Sequence, residues 1–147
     1  MNHAVVVDAN IAFKVVIEEE LSDTARTFFT ENLRDGRPII APPHFHIEVT
    51  NALHQRVRRR NITQDEAEQA LDQFLQLPVR IVSSPELYQR AFLLSRDHRI
   101  AAVYDSLYVV LAQELQTEFW TADERLINSI SSVASWVRWI GDYRPTS

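Results

Sequence analysis

Apolar runs of three or four residues alternate along this chain with longer amphipathic stretches. Val5–Val7 is β-branched throughout, stops at Asp8, and reads as a buried strand. Residues Ile11 to Glu19 have helical character. Ser22 predicts the N-cap of a second helix, which Asp35-Gly36 closes. Pro38 to Ala41 is a second apolar strand, stopped by Pro42-Pro43. His44 to Arg60 reads as a helix, with Phe45, Val49, Ala52, Leu53 and Val57 at helical spacing. Thr63 followed by Glu66 is a capping-box pattern, and Ala67, Ala70, Leu71, Phe74 and Leu75 form the apolar face of a helix that Pro78 ends. Val79–Val82 is a third strand. Ser84-Pro85 opens a helix with proline at its first position, lined by Leu87, Ala91 and Leu94. Val103 to Leu115 is so apolar that it predicts a central helix. Glu118–Thr121, a short helix from Asp123 to about Ile130, and a last strand at Val137–Ile140 complete the series.

Short apolar strands alternating with helices predict an α/β fold: a three-layer α/β/α sandwich with a mainly parallel central sheet of about five strands. No repeat, linker or low-complexity segment interrupts the pattern. Residues 1–144 are expected to form one domain, with 145–147 a short loose tail. In such sheets the functional crevice lies outside the carboxyl ends of the strands.

Composition narrows the chemistry. The 147 residues contain no cysteine, which excludes disulfides, thiolate zinc sites and thiol catalysis. That absence fits a reducing compartment, and a cytoplasmic protein is expected. The segment from Met1 to Asp8 has no basic stretch and reads as a strand instead of a signal peptide. No apolar run approaches a membrane span, so no membrane association is expected. A net charge of −5 argues against nucleic-acid binding driven by overall charge and leaves room for a local basic patch.

Four carboxylates stand where strands end or helices begin: Asp8, Glu48, Asp105 and Asp123. Each has an ordinary explanation. Asp8 and Asp123 could cap the helices that follow them, and Glu48 and Asp105 could complement helix dipoles in a first turn. Four coincident acids at one edge of the sheet are harder to explain that way. Gathering four like charges is unfavourable unless a cation holds them, and an all-oxygen set suits a hard divalent metal.

At these residues the chain resembles the PIN domain family, and within it the single-domain toxin ribonucleases of the VapC type. The matching segments are Val5-Val-Val-Asp-Ala-Asn-Ile11, Ile47-Glu-Val-Thr-Asn-Ala-Leu53, Tyr104-Asp-Ser-Leu-Tyr-Val-Val-Leu-Ala112 and Thr121-Ala-Asp-Glu-Arg-Leu126. They occur in the family's order, and the resemblance extends over essentially the whole chain. The resemblance implies that Asp8, Glu48 and Asp105 are metal ligands, and that Asp123 binds through water or supports a second metal. It gives Asn10 and Thr121 the role of polar supports. It further implies Mg²⁺, with Mn²⁺ as a substitute, metal-assisted hydrolysis of RNA, a homodimer, and neutralisation by a small antitoxin protein.

Other residues invite function less strongly. Arg56, Arg58, Arg59 and Arg60 form the one dense basic cluster and could track an RNA backbone, although cations at a helix C-terminus also favour its dipole. His44, His46 and His54 invite a zinc reading, but His44 and His46 lie two residues apart and do not share a helix face, which argues against it. Trp120, Trp136 and Trp139 could stack bases but sit in or near apolar strand segments and are expected in the core or an interface. Phe13, Val16, Ile17, Phe28 and Phe29 are claimed either by the core or, on the resemblance, by a groove for an antitoxin helix. Two rival readings remain. One is a PIN-fold binding module without catalysis. The other is a phosphatase-like or receiver-like phosphotransfer protein, disfavoured because Asn10 stands where the phosphatase needs a second Asp and Ser83-Ser84-Pro85 where the receiver needs its phosphoacceptor.

Overall fold

A computed structural model describes residues 3–146. Strand β1 (Val5–Val7) is followed by helices α1 (Ala9–Val16) and α2 (Ser22–Arg34). Strand β2 (Ile39–Ala41) is followed by α3 (Phe45–Arg58) and α4 (Gln64–Leu75), and β3 (Val79–Ile81) by α5 (Pro85–His98) and α6 (Val103–Glu114). Strand β4 (Phe119–Thr121), helix α7 (Glu124–Ile130), β5 (Val137–Trp139) and a single 3₁₀ turn at Ile140–Asp142 complete the chain. The five strands form one wholly parallel sheet in the order β3-β2-β1-β4-β5. The expected three-layer sandwich is therefore present. Helices α1 to α4 pack on one another, α5 and α6 pair, and α6 also rests on β1 and β4.

The strand order reverses direction at β1, whose neighbours are β2 on one side and β4 on the other. Chains leaving these two strands diverge, and the gap between them opens a crevice at the carboxyl end. Val5, Val6, Val7, Ile39, Ala41 and Phe119 are fully buried, as central parallel strands demand. Strand β3 differs: it lies at the edge, and Arg80 and Ile81 are exposed. The central-helix expectation holds, since every residue from Ser106 to Ala112 is buried. Within that apolar layer Ser95 donates a 2.7 Å hydrogen bond to Ser106, so the polar pair joining α5 to α6 is satisfied.

Local signals operate as chemistry requires. Thr63 and Glu66 form a reciprocal capping box at α4. Pro85 occupies the start of α5. Two expectations are corrected. Helix α1 begins at Ala9 and ends at Val16, short of Glu19, because Ile17 turns extended to bury its side chain. Ser22 is the first helical residue of α2, while Leu21 takes the cap position in the left-handed conformation at φ 68°. The Ser22 hydroxyl instead accepts from the Glu19 backbone N–H at 2.9 Å and donates to the Ile17 carbonyl, closing the turn between α1 and α2.

The core consumes Phe13, Ile17, Phe28 and Phe29, leaving only Val16 half-buried among the side chains considered for an antitoxin groove. The tryptophans also serve packing. Trp120 contacts Phe28 and Tyr143, and the Trp136 indole donates to the Val109 carbonyl at 2.9 Å. Trp139 lies so close over Gly141 that a β-carbon there would sit 2.3 Å from its ring, so any larger residue would force the indole to move. The tail is not loose at Thr146, whose backbone N–H donates to Glu31 at 3.1 Å; Ser147 lies outside the described residues.

Candidate active site

The switch point brings together the side chains that the sequence keeps more than a hundred positions apart. Asp8, Glu48, Asp105 and Asp123 line one cavity of about 430 Å³, together with Asn10, Phe13, Lys14, Glu19 and Arg56. Asp8 follows β1, Glu48 lies in the first turn of α3, Asp105 in the first turn of α6, and Asp123 precedes α7. The two candidate caps behave differently. Asp123 does cap its helix, accepting from the backbone N–H groups of Arg125 at 3.0 Å and Leu126 at 3.3 Å. Asp8 occupies the cap position of α1 without a side-chain capping bond.

Asp8 is 4% exposed, and its carboxyl is pushed up to about 8. Burial is the main cause, and the negative charges of Glu48 and Asp105 add to it. The Thr121 hydroxyl and the Asn10 backbone N–H oppose the rise without cancelling it. Asp105 is raised to about 6 by burial first, then by Asp123 and Glu48, while His44 acts in the opposite sense. These carboxylates therefore repel one another across a partly dehydrated space, and a cation placed among them would relieve that repulsion.

A polar network fixes the walls. The Thr121 hydroxyl donates to Asp8 Oδ2 at 2.7 Å and accepts from Asn10 Nδ2 at 3.3 Å and from the Asp123 backbone N–H at 3.0 Å. Asn10 Oδ1 accepts from the Ala122 backbone N–H at 3.1 Å. One threonine and one asparagine thus stitch the loop after β1 to the loop after β4. Thr121 is fully buried, so its hydroxyl has no water to substitute for these partners.

Two residues that the sequence reading did not select act on Glu48. Tyr108 is fully buried, stacks on Phe119 with ring centroids 5.1 Å apart, and donates its hydroxyl to Glu48 Oε1 at 2.8 Å. Burial and the adjacent carboxylates hold the phenol well above its usual range, so it remains a donor. His44 packs against Tyr104 and Tyr108, and its Nε2 lies 3.0 Å from the same Glu48 oxygen. That nitrogen is not aligned for a hydrogen bond and is buried without one. Tyr108 lies three residues after Asp105 in the same helix, a spacing that places both on one face and was the available signal. His46 points elsewhere, toward Phe45 and Phe74, as its spacing from His44 predicts.

The donors around the cavity are carboxylate oxygens, the chemistry a hard divalent cation selects. Among the described residues, no three Asp, Glu or His side chains already enclose a metal-sized position. Bound water, which Mg²⁺ retains readily, can complete such a shell.

Of the arginine cluster, Arg56 alone lines this cavity; Arg58, Arg59 and Arg60 are exposed at the end of α3. No helix among the described residues is long and apolar enough to cross a membrane.

An acid-lined crevice at the switch point of a parallel sheet is the frame in which comparison with known proteins becomes informative. The chain belongs to the PIN domain family, whose pattern it matches over residues 6–138. It is 36% identical to Ribonuclease VapC12 of Mycobacterium tuberculosis over 125 residues, covering 85% of this chain and 91% of the relative, in both strains CDC 1551 / Oshkosh and ATCC 25618 / H37Rv. Among solved structures, PAE2754 from Pyrobaculum aerophilum superposes with a TM-score of 0.71 at 15% identity, covering 96% of this chain and 93% of that one. VapBC2 from Rickettsia felis, bound to a DNA fragment from its promoter, gives 0.65 at 14% identity, covering 92% and 96%. Mycobacterium tuberculosis VapC20, a Sarcin-Ricin loop cleaving toxin, gives 0.58 at 16% identity, covering 86% and 95%. These three likenesses establish the shared fold.

Proposed function

We propose that this protein is a metal-dependent endoribonuclease, the toxin half of a toxin–antitoxin pair, acting through Asp8, Glu48, Asp105 and Asp123. The observation that carries the reading is the convergence of all four acids on one cavity at the switch point, with Asp8 buried and its carboxyl raised. Similarity to Ribonuclease VapC12 over most of both chains supports RNA as substrate. In this reading residues 1–144 work as one domain, in the cytoplasm, as a homodimer that a small antitoxin neutralises; the VapBC2 likeness supports the antitoxin.

Mg²⁺, with Mn²⁺ as substitute, would supply neutralisation of charge at the scissile phosphate and activation of the attacking water. The chain supplies position. Asp8, Glu48 and Asp105 would hold the ion, with Asp123 at its edge. Thr121 and Asn10 orient Asp8 through the network across β1 and β4. Tyr108 holds one oxygen of Glu48 and so fixes the orientation of a carboxylate that lines the cavity. Arg56 is the member of the basic cluster best placed to meet RNA, with Arg58, Arg59 and Arg60 extending a basic rim.

The test is cleavage of a structured-RNA panel by partner-free protein with Mg²⁺, Mn²⁺ or EDTA, beside Asp8→Asn and Asp105→Asn. Metal-dependent cutting lost in both folded variants is expected. A folded Asp8→Asn protein that still cuts would refute the site assignment. Wild-type protein that binds neither metal nor RNA would favour the non-catalytic module.

A further inference from the structure

We infer that Lys14 and Arg56 form a seat for a backbone phosphate flanking the scissile one, and that Glu19 is a built-in anion which this phosphate displaces. The inference rests on the ribonuclease reading of the acids in the same cavity.

The cavity lining holds cations as well as acids. Sharing the cavity with the four acids are Lys14 at the end of α1, Glu19 in the following turn, and Arg56 in the last turn of α3. Glu19 is shared between the cations. Its Oε2 accepts from Lys14 Nζ at 3.1 Å and its Oε1 from Arg56 Nη2 at 2.6 Å. Each carboxylate oxygen thus meets one cation, as two non-bridging oxygens of a phosphate diester would. The cations are also held from behind. Lys14 Nζ donates to the Glu20 carbonyl at 2.9 Å, and the Arg56 guanidinium lies over the Phe13 ring, 4.8 Å from its centroid. Both would therefore keep their places when Glu19 leaves.

Charge explains why such a seat is needed. A chain of net charge −5 with four acids at its site repels RNA unless cations stand close by. Lys14, Glu19 and Arg56 together carry +1, so Glu19 masks one positive charge of the lining. The side chains are 13%, 22% and 31% exposed, which leaves the trio accessible from the cavity yet shielded enough for the charges to act on one another. The plainer alternative is a clasp tying the turn after α1 to α3. A clasp predicts lower stability without Glu19 and no gain in anion affinity.

Binding separates the two. A labelled single-stranded RNA oligonucleotide would be titrated by anisotropy into the Asp8→Asn protein with Mg²⁺, over a salt series, beside the same protein carrying Glu19→Gln, Lys14→Met or Arg56→Gln. Metal-free pyrophosphate would be titrated by calorimetry into the same set, with thermal unfolding as the fold check. Glu19→Gln is expected to tighten both ligands by about fivefold to tenfold. Arg56→Gln and Lys14→Met are expected to weaken both, each lowering the salt slope for RNA by about 0.7, with partial rescue by Arg56→Lys and Lys14→Arg. Unchanged or weaker binding in folded Glu19→Gln overturns the inference. RNA binding indifferent to all three positions overturns it while leaving the nuclease reading intact. Pyrophosphate binding in the expected order without any RNA binding supports the seat and counts against the nuclease reading.

Discussion

Asp8 and Glu31 are both hidden acids, 4% and 5% exposed, yet their surroundings treat them in opposite ways. Glu31 is covered by the C-terminal segment and fully provided for. It accepts from the Tyr143 hydroxyl at 2.6 Å and from the Thr146 backbone N–H at 3.1 Å, with Arg34 3.6 Å away. Its carboxyl is held below the usual carboxylate range, chiefly by the Tyr143 hydroxyl. Asp8 has the Thr121 hydroxyl and a backbone N–H on one side, two further carboxylates on the other, and a carboxyl raised to about 8. Glu31 is surrounded by donors and Asp8 is left short of positive charge, the contrast expected if the first serves structure and the second, on the proposed reading, serves chemistry.

The largest expected effect comes from supplying the missing neutrality covalently. Asp8→Asn should lower RNA cleavage on the order of 10³-fold, measured under single-turnover conditions. It should also raise the melting temperature of the metal-free protein toward pH 8, because it removes a buried carboxyl whose ionised form the fold disfavours. Glu31→Gln should do neither: cleavage stays at the wild-type level and the melting temperature falls.

The pH dependence sharpens the contrast. The unfolded Asp8 carboxyl titrates near 3.8 and the folded one near 8, so between these values the native state binds the extra proton. Metal-free stability attributable to Asp8 is thus greatest below about pH 4 and falls as pH rises toward 8. Asp105, raised to about 6, acts in the same sense. Glu31 has the reverse sign: its contribution is present above its unfolded pKa and is lost as pH falls through its depressed folded value. Thermal melts in EDTA across this range should show a decline toward pH 8 that Asp8→Asn flattens and that Mg²⁺ offsets. A wild-type curve that rises steadily to pH 8 would contradict it.

Tyr108→Phe should have an intermediate effect. It keeps the stack on Phe119 but frees Glu48 Oε1, and metal affinity by calorimetry should drop about 10- to 100-fold. The smallest effect belongs to Arg58→Gln. This exposed side chain outside the cavity should change RNA affinity by less than about threefold at moderate salt.

Most of the fold was legible because its signals are local. Three valines before Asp8, a proline pair after Ala41, and Thr63 with Glu66 each dictate a boundary through backbone chemistry. The four acids were legible because each stands at an element end, and the parallel order turns those ends into one edge. Contacts between distant residues were not. Ser22 satisfies every local rule for an N-cap, but its hydroxyl is taken by the turn at Ile17 and Glu19. Tyr108 and His44 converge on Glu48 only once the chain has folded, and the one local hint, the three-residue spacing of Tyr108 from Asp105, says nothing of Glu48 as its partner. The arginine cluster looked uniform, whereas the helix turns Arg56 alone into the cavity.

The bond from Thr121 to Asp8 spans 113 positions, and β4 is the strand that closes β1 on the side of the crevice. During synthesis the first strand, three of the four acids and most of the helices emerge before that closure is available. The half-built chain has its charge repulsion but not the hydroxyl that orients Asp8, nor the strand that walls the site. On the proposed ribonuclease reading, competence therefore arrives late, as a property of nearly the whole polypeptide, and fragments released early from the ribosome should be inert.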